Sequence, residues 1–387
     1  MEGFPPPPDQ RVTVKNWLQP PYNRWSFQHV RRLSPTAEIS NGKKSPAPLE
    51  TEENDILSFS FSLPTGKKMT IKEMLEKTYT DGFLVLQNGK IISEQYLNSM
   101  RADTRHLIWS CSKSILGTLA GVLVHQNKLD PNEKIVAYIP ELEKTAFGDA
   151  TVQQLLDMTV ASERNPDGKF CTLTESEAWS AYDLVRHIPK EGDHGKTFLY
   201  SNPSAIVLGW AVERSSQTYL PELLSQHIWK QIGAEYDANA MVDGIGTVQS
   251  SCGFSMTLRD LGRFGQMILQ EGFYNGKQVI PREWIDDTRH HGNKKVFKSS
   301  IFGQFVPNGS YRNMWWVGER GSLMALGIYG QLLYIDFDAN LVVVKLSSQR
   351  APAEVSMQLL THLGILALAD HLKNPTLKKN LRLSVVP

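Results

Sequence analysis

The stretch His106-Leu-Ile-Trp-Ser-Cys-Ser-Lys-Ser-Ile-Leu-Gly-Thr-Leu-Ala-Gly-Val-Leu-Val-His125 decides how the rest of the chain is read. Ser110 stands before a long apolar run in which Leu116, Leu119, Ala120 and Leu123 recur at helical spacing, so the run is predicted to be a buried helix. Ser110 and Lys113, three residues apart at its start, share one face over a helix end that carries positive dipole and unpaired N–H groups. A serine hydroxyl is a weak nucleophile until a base takes its proton. A partly desolvated lysine, neutral near pH 7, can be that base.

Ser-x-x-Lys alone has little meaning, because Ser40 and Lys43 repeat the spacing in a polar segment, Ile-Ser-Asn-Gly-Lys-Lys-Ser-Pro-Ala-Pro, with no apolar helix behind it. The competing reading of Ser110 is an ordinary helix cap.

The 387 residues are 41% hydrophobic, enough for one large domain or two closely packed ones. Forty-one basic and forty acidic residues leave a formal charge of +1. The lysine pairs Lys43-Lys44, Lys67-Lys68 and Lys294-Lys295 are short, so no nucleic-acid partner is expected. Cys111, Cys171 and Cys252 form no Cys-x-x-Cys pair and support neither a zinc knuckle nor a disulfide framework. His290 and His291 are adjacent and point different ways, so no metal site is expected there. The N-terminus lacks the basic start and apolar core of a signal peptide, and no window reads as a membrane span. The expectation is a cytoplasmic protein with no membrane partner, monomeric or homodimeric.

Trp17 to Thr36 is aromatic and proline-rich, and residues 1–70 read as a wrapping segment that seats Trp17, Trp25 and Phe27 in grooves. Ile71 to Tyr79 is a predicted short helix. Gly82 to Leu97 is a hairpin about Asn88-Gly89, both of which tolerate positive φ. Residues 126–235 carry mostly helical patterns, with Thr151 as a cap and Tyr200 just before a helix of residues 204–214. A second Tyr-x-Asn, Tyr311 to Asn313, leads into a strand instead. Thr257 opens a scaffold helix that stops at Gly272. Strands are predicted at Met314 to Val317, Leu323 to Phe337 and Leu341 to Ser347, followed by a helix from Ala353 to Leu372 packed on their sheet. Residues 71–125 and 236–387 thus form one sheet domain around the helical region, an α+β fold closed by both ends of the chain.

The order Ser110-x-x-Lys113, Tyr200-x-Asn202 and a glycine-bearing strand near Gly327 resembles the serine β-lactamase and penicillin-binding-protein superfamily, particularly class C β-lactamases and their related esterases. Leu129-Asp-Pro, Tyr138-Ile-Pro-Glu-Leu, Leu155-Leu-Asp-Met-Thr and Asp260-Leu-Gly-Arg-Phe agree with it. Within that superfamily, Asn23-Arg-Trp-x-Phe27, Gly309-Ser-Tyr-Arg, Trp315-Trp316 and Val344-Lys-Leu-Ser-Ser are similar to the nylon-oligomer hydrolase branch. The resemblance implies a β-lactamase/penicillin-binding-protein-like fold, an antiparallel sheet flanked by helices with an inserted mostly α-helical region.

It also implies acyl transfer: attack by Ser110, proton handling by Lys113 and Tyr200, and an oxyanion hole from the N–H groups of Ser110 and Ile328. Asn202, Gly327, Gly168 and Phe170 are the implied substrate-facing positions. No metal and no cofactor is implied, and the substrate is a small-molecule ester or linear amide. Where class C β-lactamases carry Lys-Thr-Gly, the chain has Ala325-Leu326-Gly327, so penicillin turnover is expected to be poor. Gly168 occupies the position of a tyrosine associated with amide cleavage in the nylon-oligomer hydrolases, with Phe170 nearest, so ester chemistry is favoured. The alternative from another class is a catalytically silent, lactamase-like binding or sensor protein.

Overall fold

The computed structural model describes residues 1, 3–43, 45–163 and 180–373. Its centre is a seven-stranded antiparallel sheet in the spatial order Ser310–Arg312, Trp315–Val317, Leu323–Gly327, Gln331–Asp336, Leu341–Ser347, Thr80–Gln87, Lys90–Tyr96. The N-terminal hairpin joins the C-terminal meander where Val343 faces Val85 and Val344 faces Leu84. Asn88 (φ 53°) and Gly89 (φ 79°) make the hairpin turn their sequence predicts, because two successive left-handed residues match the twist of the flanking strands. Leu341–Ser347 is buried at every position, so both faces of the sheet are covered there.

The run expected as a single strand from Leu323 to Phe337 is two strands. The chain reverses at Ile328–Gly330, where Tyr329 (φ 61°) and Gly330 (φ 89°) are both left-handed. A Cβ at Gly330 would lie 2.5 Å from Gln349 Nε2, so conformation and space both call for glycine. Apolar texture alone does not reveal a turn whose residues are themselves partly buried.

A second, four-stranded sheet has the order Thr36–Ile39, Ala238–Met241, Phe254–Met256, His106–Leu107. The N-terminal segment therefore contributes a strand as well as a wrapping surface. Among the described residues from 126 to 235 there is no named strand; the longest element is the helix Asn202–Ser216, capped by Ser201 Oγ on the Ser204 N–H.

Helix Cys111–His125 is buried on all sides from Cys111 to Leu123, as an apolar helix without a polar stripe must be. Its two glycines admit its neighbours. A Cβ on Gly117 would stand 2.2 Å from the Asn313 carbonyl oxygen, and one on Gly121 would stand 2.4 Å from the Trp284 ring. Helix Leu258–Leu269 lies on the large sheet, with Gly262 against Leu84 and Gly265 against Val342.

The last helix, Val355–Lys373, packs on Ile71–Lys77 and on the strand Ser60–Ser62. It reaches the large sheet through its final turn, where Leu372 O accepts from Gln87 Nε2 and Lys373 pairs with Asp338. Its 19 residues are long and apolar enough to cross a membrane, a property that reading the sequence for spans missed. Here Ile365, Leu368 and Leu372 are buried in the protein core.

Gly117→Ala tests the helix contact. The new methyl group would meet the Asn313 carbonyl oxygen at 2.2 Å and Met314 Cβ at 2.7 Å, neither of them the free end of a flexible side chain, so stability should fall by about 2–3 kcal/mol, measured by urea unfolding. A loss below about 0.5 kcal/mol would show that the helix and the Asn313 loop are not held at this distance.

Candidate active site

Ser110 lies at the junction of strand His106–Leu107 and helix Cys111–His125. Its backbone is already helical (φ −65°, ψ −8°), and its side chain makes no capping bond, so the hydroxyl does not cap the helix. The residue before it, Trp109, is left-handed at φ 48°, a conformation that costs a non-glycine residue about 1–2 kcal/mol. That kink turns the chain from strand into helix at the serine.

Lys113 is completely buried one turn on. Its Nζ lies 3.0 Å from Ser110 Oγ, 2.7 Å from Asn202 Oδ1 and 2.8 Å from the Ser251 carbonyl oxygen. Burial, which disfavours the ammonium, lowers its pKa to about 7. A neutral amine has two N–H donors and one lone pair. Asn202 Oδ1 and Ser251 O can only accept and so take both N–H groups, which leaves the lone pair for the Ser110 hydroxyl proton.

Tyr200 hydrogen-bonds Ser110 through its side chain, and desolvation raises its pKa above the usual tyrosine value, so the phenol keeps its proton. Lys113 Nζ stands 5.0 Å from the centre of its ring. Trp316, at 5.2 Å, and Phe302, at 6.0 Å, support that ring from the sheet and from the segment before it. Tyr200 is held in place by Met158, whose carbonyl accepts from the Leu199 N–H and whose sulfur faces the Ser201 N–H. The Leu155-Leu-Asp-Met phrase therefore acts as a brace for the tyrosine. Its Asp157 grips Arg312 at 2.7 Å, tying the helical region to the strand Ser310–Arg312.

Gly327 ends its strand against Ile108, two residues before Ser110. A Cβ there would meet the Ile108 carbonyl oxygen at 2.7 Å, so only glycine lets the strand end, and Ile328 after it, approach this closely. The structure thus brings Ser110, Lys113, Tyr200, Asn202 and Gly327 together from distant parts of the chain. Gly168 and Phe170 lie outside the described residues.

The two sequence look-alikes separate cleanly. Ser40 Oγ accepts from the Gly42 N–H and Lys43 is exposed, so that pair forms no dyad. Tyr311 packs edge-on to Tyr200 at 6.1 Å, but its hydroxyl faces the Met314 sulfur. Sequence reading missed the Ser251 carbonyl, since a backbone acceptor has no residue signature. It reaches Lys113 because Gly209 leaves room for Ser250 against the helix Asn202–Ser216. The next residue, Cys252, is disulfide-bonded, a single cross-link that separation along the sequence does not reveal. Cys111 is free and buried. Among the described residues no group of three or more His, Cys, Asp or Glu side chains could hold a metal ion.

Residues 70–365 match the family model described as Beta-lactamase. The chain is 32% identical over 356 residues to 6-aminohexanoate-dimer hydrolase of Paenarthrobacter ureafaciens, covering 88% of this chain and 89% of that one. A solved structure described as "Putative 6-aminohexanoate-dimer hydrolase from Bacillus anthracis" superposes with a TM-score of 0.84 at 30% identity, over 95% of this chain and 99% of that one. EstCE1, a hydrolase with promiscuous acyltransferase activity, shares the fold at a TM-score of 0.60 and 14% identity, over 76% of this chain and 98% of its own. With a family match spanning most of the chain, and a fold and polar cluster in agreement, the chain belongs to the β-lactamase family.

Proposed function

We propose that this protein is a serine hydrolase that cleaves small carboxylic esters, and more slowly small linear amides, through an acyl-enzyme on Ser110. The observation that carries the reading is the buried Lys113 amine, with both N–H groups directed to pure acceptors and its third contact, at 3.0 Å, on the Ser110 hydroxyl. Ser110 Oγ attacks the substrate carbonyl as its proton passes to Lys113 Nζ. The oxyanion is received by the backbone N–H groups of Ser110 and Ile328, each such donor typically contributing about 3 kcal/mol. Tyr200, kept protonated by its surroundings, gives its phenolic proton to the departing oxygen or nitrogen. Lys113 then returns the serine proton to Tyr200. In the second half-reaction water attacks the acyl carbonyl and its proton retraces the relay, restoring Ser110.

A fluorophosphonate probe tests the nucleophile. Intact mass should show one adduct that is absent in Ser110→Ala, and that variant should lose p-nitrophenyl butyrate hydrolysis while still folding. Tyr200→Phe should lower kcat by about 10²-fold or more, with Tyr311→Phe, whose hydroxyl faces a sulfur, within about twofold. No adduct on the wild-type protein would favour a silent binding protein. Equal losses in the two tyrosine variants would reject Tyr200 as the proton donor.

The pH profile follows from the amine. Protonated Lys113 has no lone pair, so kcat/KM should climb about tenfold per pH unit below a bend near the lysine pKa of about 7 and level off above it. No descending limb belonging to Tyr200 should appear within the ordinary tyrosine range, because its pKa is raised. A flat profile from pH 5 to 9 would remove Lys113 as the base.

Substrate preference is set by the leaving group. An ester expels an oxygen that needs little help, whereas an amide nitrogen must be protonated as the tetrahedral intermediate collapses. Gly168 offers no side-chain donor, and one missing hydrogen bond to developing charge costs about 1.5–3 kcal/mol, or about 10–10²-fold. Butyrate esters should therefore turn over readily and the linear 6-aminohexanoate dimer weakly. Equal kcat/KM for the two would show that another group supplies the amide proton.

A further inference from the structure

The two residues that flank the proposed oxyanion donors are both aromatic and both left-handed. Trp109, at φ 48°, immediately precedes Ser110, and Tyr329, at φ 61°, immediately follows Ile328. Non-glycine residues hold such conformations only where the surroundings over-determine them. The Phe27 ring, fully buried, packs edge-on against both, 5.3 Å from the Trp109 centroid at 78° and 4.9 Å from the Tyr329 centroid at 64°. Trp109 and Tyr329 also touch each other, at 5.5 Å. Trp17 stacks on Trp109 at 5.6 Å and meets Phe27 edge-on at 6.2 Å.

Phe27 belongs to the N-terminal segment, and that segment is anchored at several points. The Phe27 carbonyl accepts from the Leu107 N–H at 2.8 Å, three residues before the serine. Asn23 Nδ2 donates to the Gln349 carbonyl at 2.7 Å, and Arg24 pairs with the buried Asp81 at 3.3 Å. From the opposite side, Gln331 Nε2 donates to the Ile328 carbonyl at 3.2 Å and to the Ser347 carbonyl at 2.7 Å, fixing the other side of the turn.

We propose that Phe27 is a positioning residue for the oxyanion hole: wedged edge-on against the touching pair Trp109 and Tyr329, it fixes how the Ser110 and Ile328 N–H groups stand relative to each other without touching substrate. This rests on the serine-hydrolase reading above. The two donors come from chain segments more than two hundred residues apart, and the aromatic wedge packs against both. Two hydrogen bonds to one oxygen are sensitive to such spacing, since about 1 Å of misplacement can cost 10²-fold. The transition state, which carries the negative charge, suffers more than the bound ester.

Phe27→Leu and Phe27→Met keep an apolar side chain but remove the flat wedge. With p-nitrophenyl butyrate, kcat should fall about 10- to 10²-fold while KM stays within about threefold. Affinity for an alkyl boronic acid, a tetrahedral mimic, should fall in parallel with kcat. Phe264→Leu, in the stack with Trp315 on the helix Leu258–Leu269, is the control for lost packing. It should lower Tm comparably and leave kcat near the parent value. Fluorophosphonate labelling of Ser110 separates the two levels: no labelling of the wild-type protein would overturn both the hydrolase reading and the wedge. Labelling with kcat and boronate affinity unchanged in whichever Phe27 variant folds, or changed equally in Phe264→Leu, would overturn the wedge alone.

Discussion

The site depends on keeping one amine dry. Water would hold Lys113 as an ammonium with three donors and no lone pair to turn toward the Ser110 hydroxyl. Complete burial reverses that preference, but a buried amine with idle N–H groups would be costly. Asn202 Oδ1 and the Ser251 carbonyl meet that cost with two hydrogen bonds and leave a single direction for the lone pair. Desolvation supplies the basicity and the two acceptors supply the aim.

Most of the fold serves that arrangement. The helix carrying Ser110 and Lys113 can be buried all round because Gly117 and Gly121 let the Asn313 loop and Trp284 come up against it. The helix carrying Asn202 comes close to Ser250, next to Ser251, because Gly209 has no side chain. Gly327 does the same for the strand end beside Ile108. At each place a missing Cβ allows polar groups from separate elements to converge within hydrogen-bonding distance, and larger residues close the packing around them.

The surroundings of Tyr200 differ in character from those of Lys113. Its ring leans on Trp316, Phe302 and Tyr311, all aromatic. This apolar backing keeps the phenol protonated, and the same loss of water lowers the pKa of the neighbouring lysine to about 7, so one physical effect shifts the two groups in opposite directions side by side. Ala325 leaves the strand Leu323–Gly327 without a charged side chain at that point, which is compatible with the neutral ester substrates proposed above.

Much was legible in the order of residues. Helical periodicity marked the helix behind Ser110, Asn88-Gly89 marked the hairpin, and strands at both chain ends marked a sheet closed by Thr80–Gln87 against Leu341–Ser347. These are local signals, set by side-chain period and backbone preference, and they survive folding because the neighbours that enforce them are close in sequence. The turn at Ile328–Gly330 was not legible, because its residues are apolar and partly buried and so imitate a continuous strand. Nor could sequence show that Ser110 leaves its helix uncapped, that the Ser251 carbonyl completes the lysine cage, or that Phe27 packs against both Trp109 and Tyr329. Those facts depend on distances between segments far apart along the chain. Sequence determined which groups could act; only the tertiary structure decided which of them meet, because desolvation and hydrogen-bond direction exist only once distant elements have packed together.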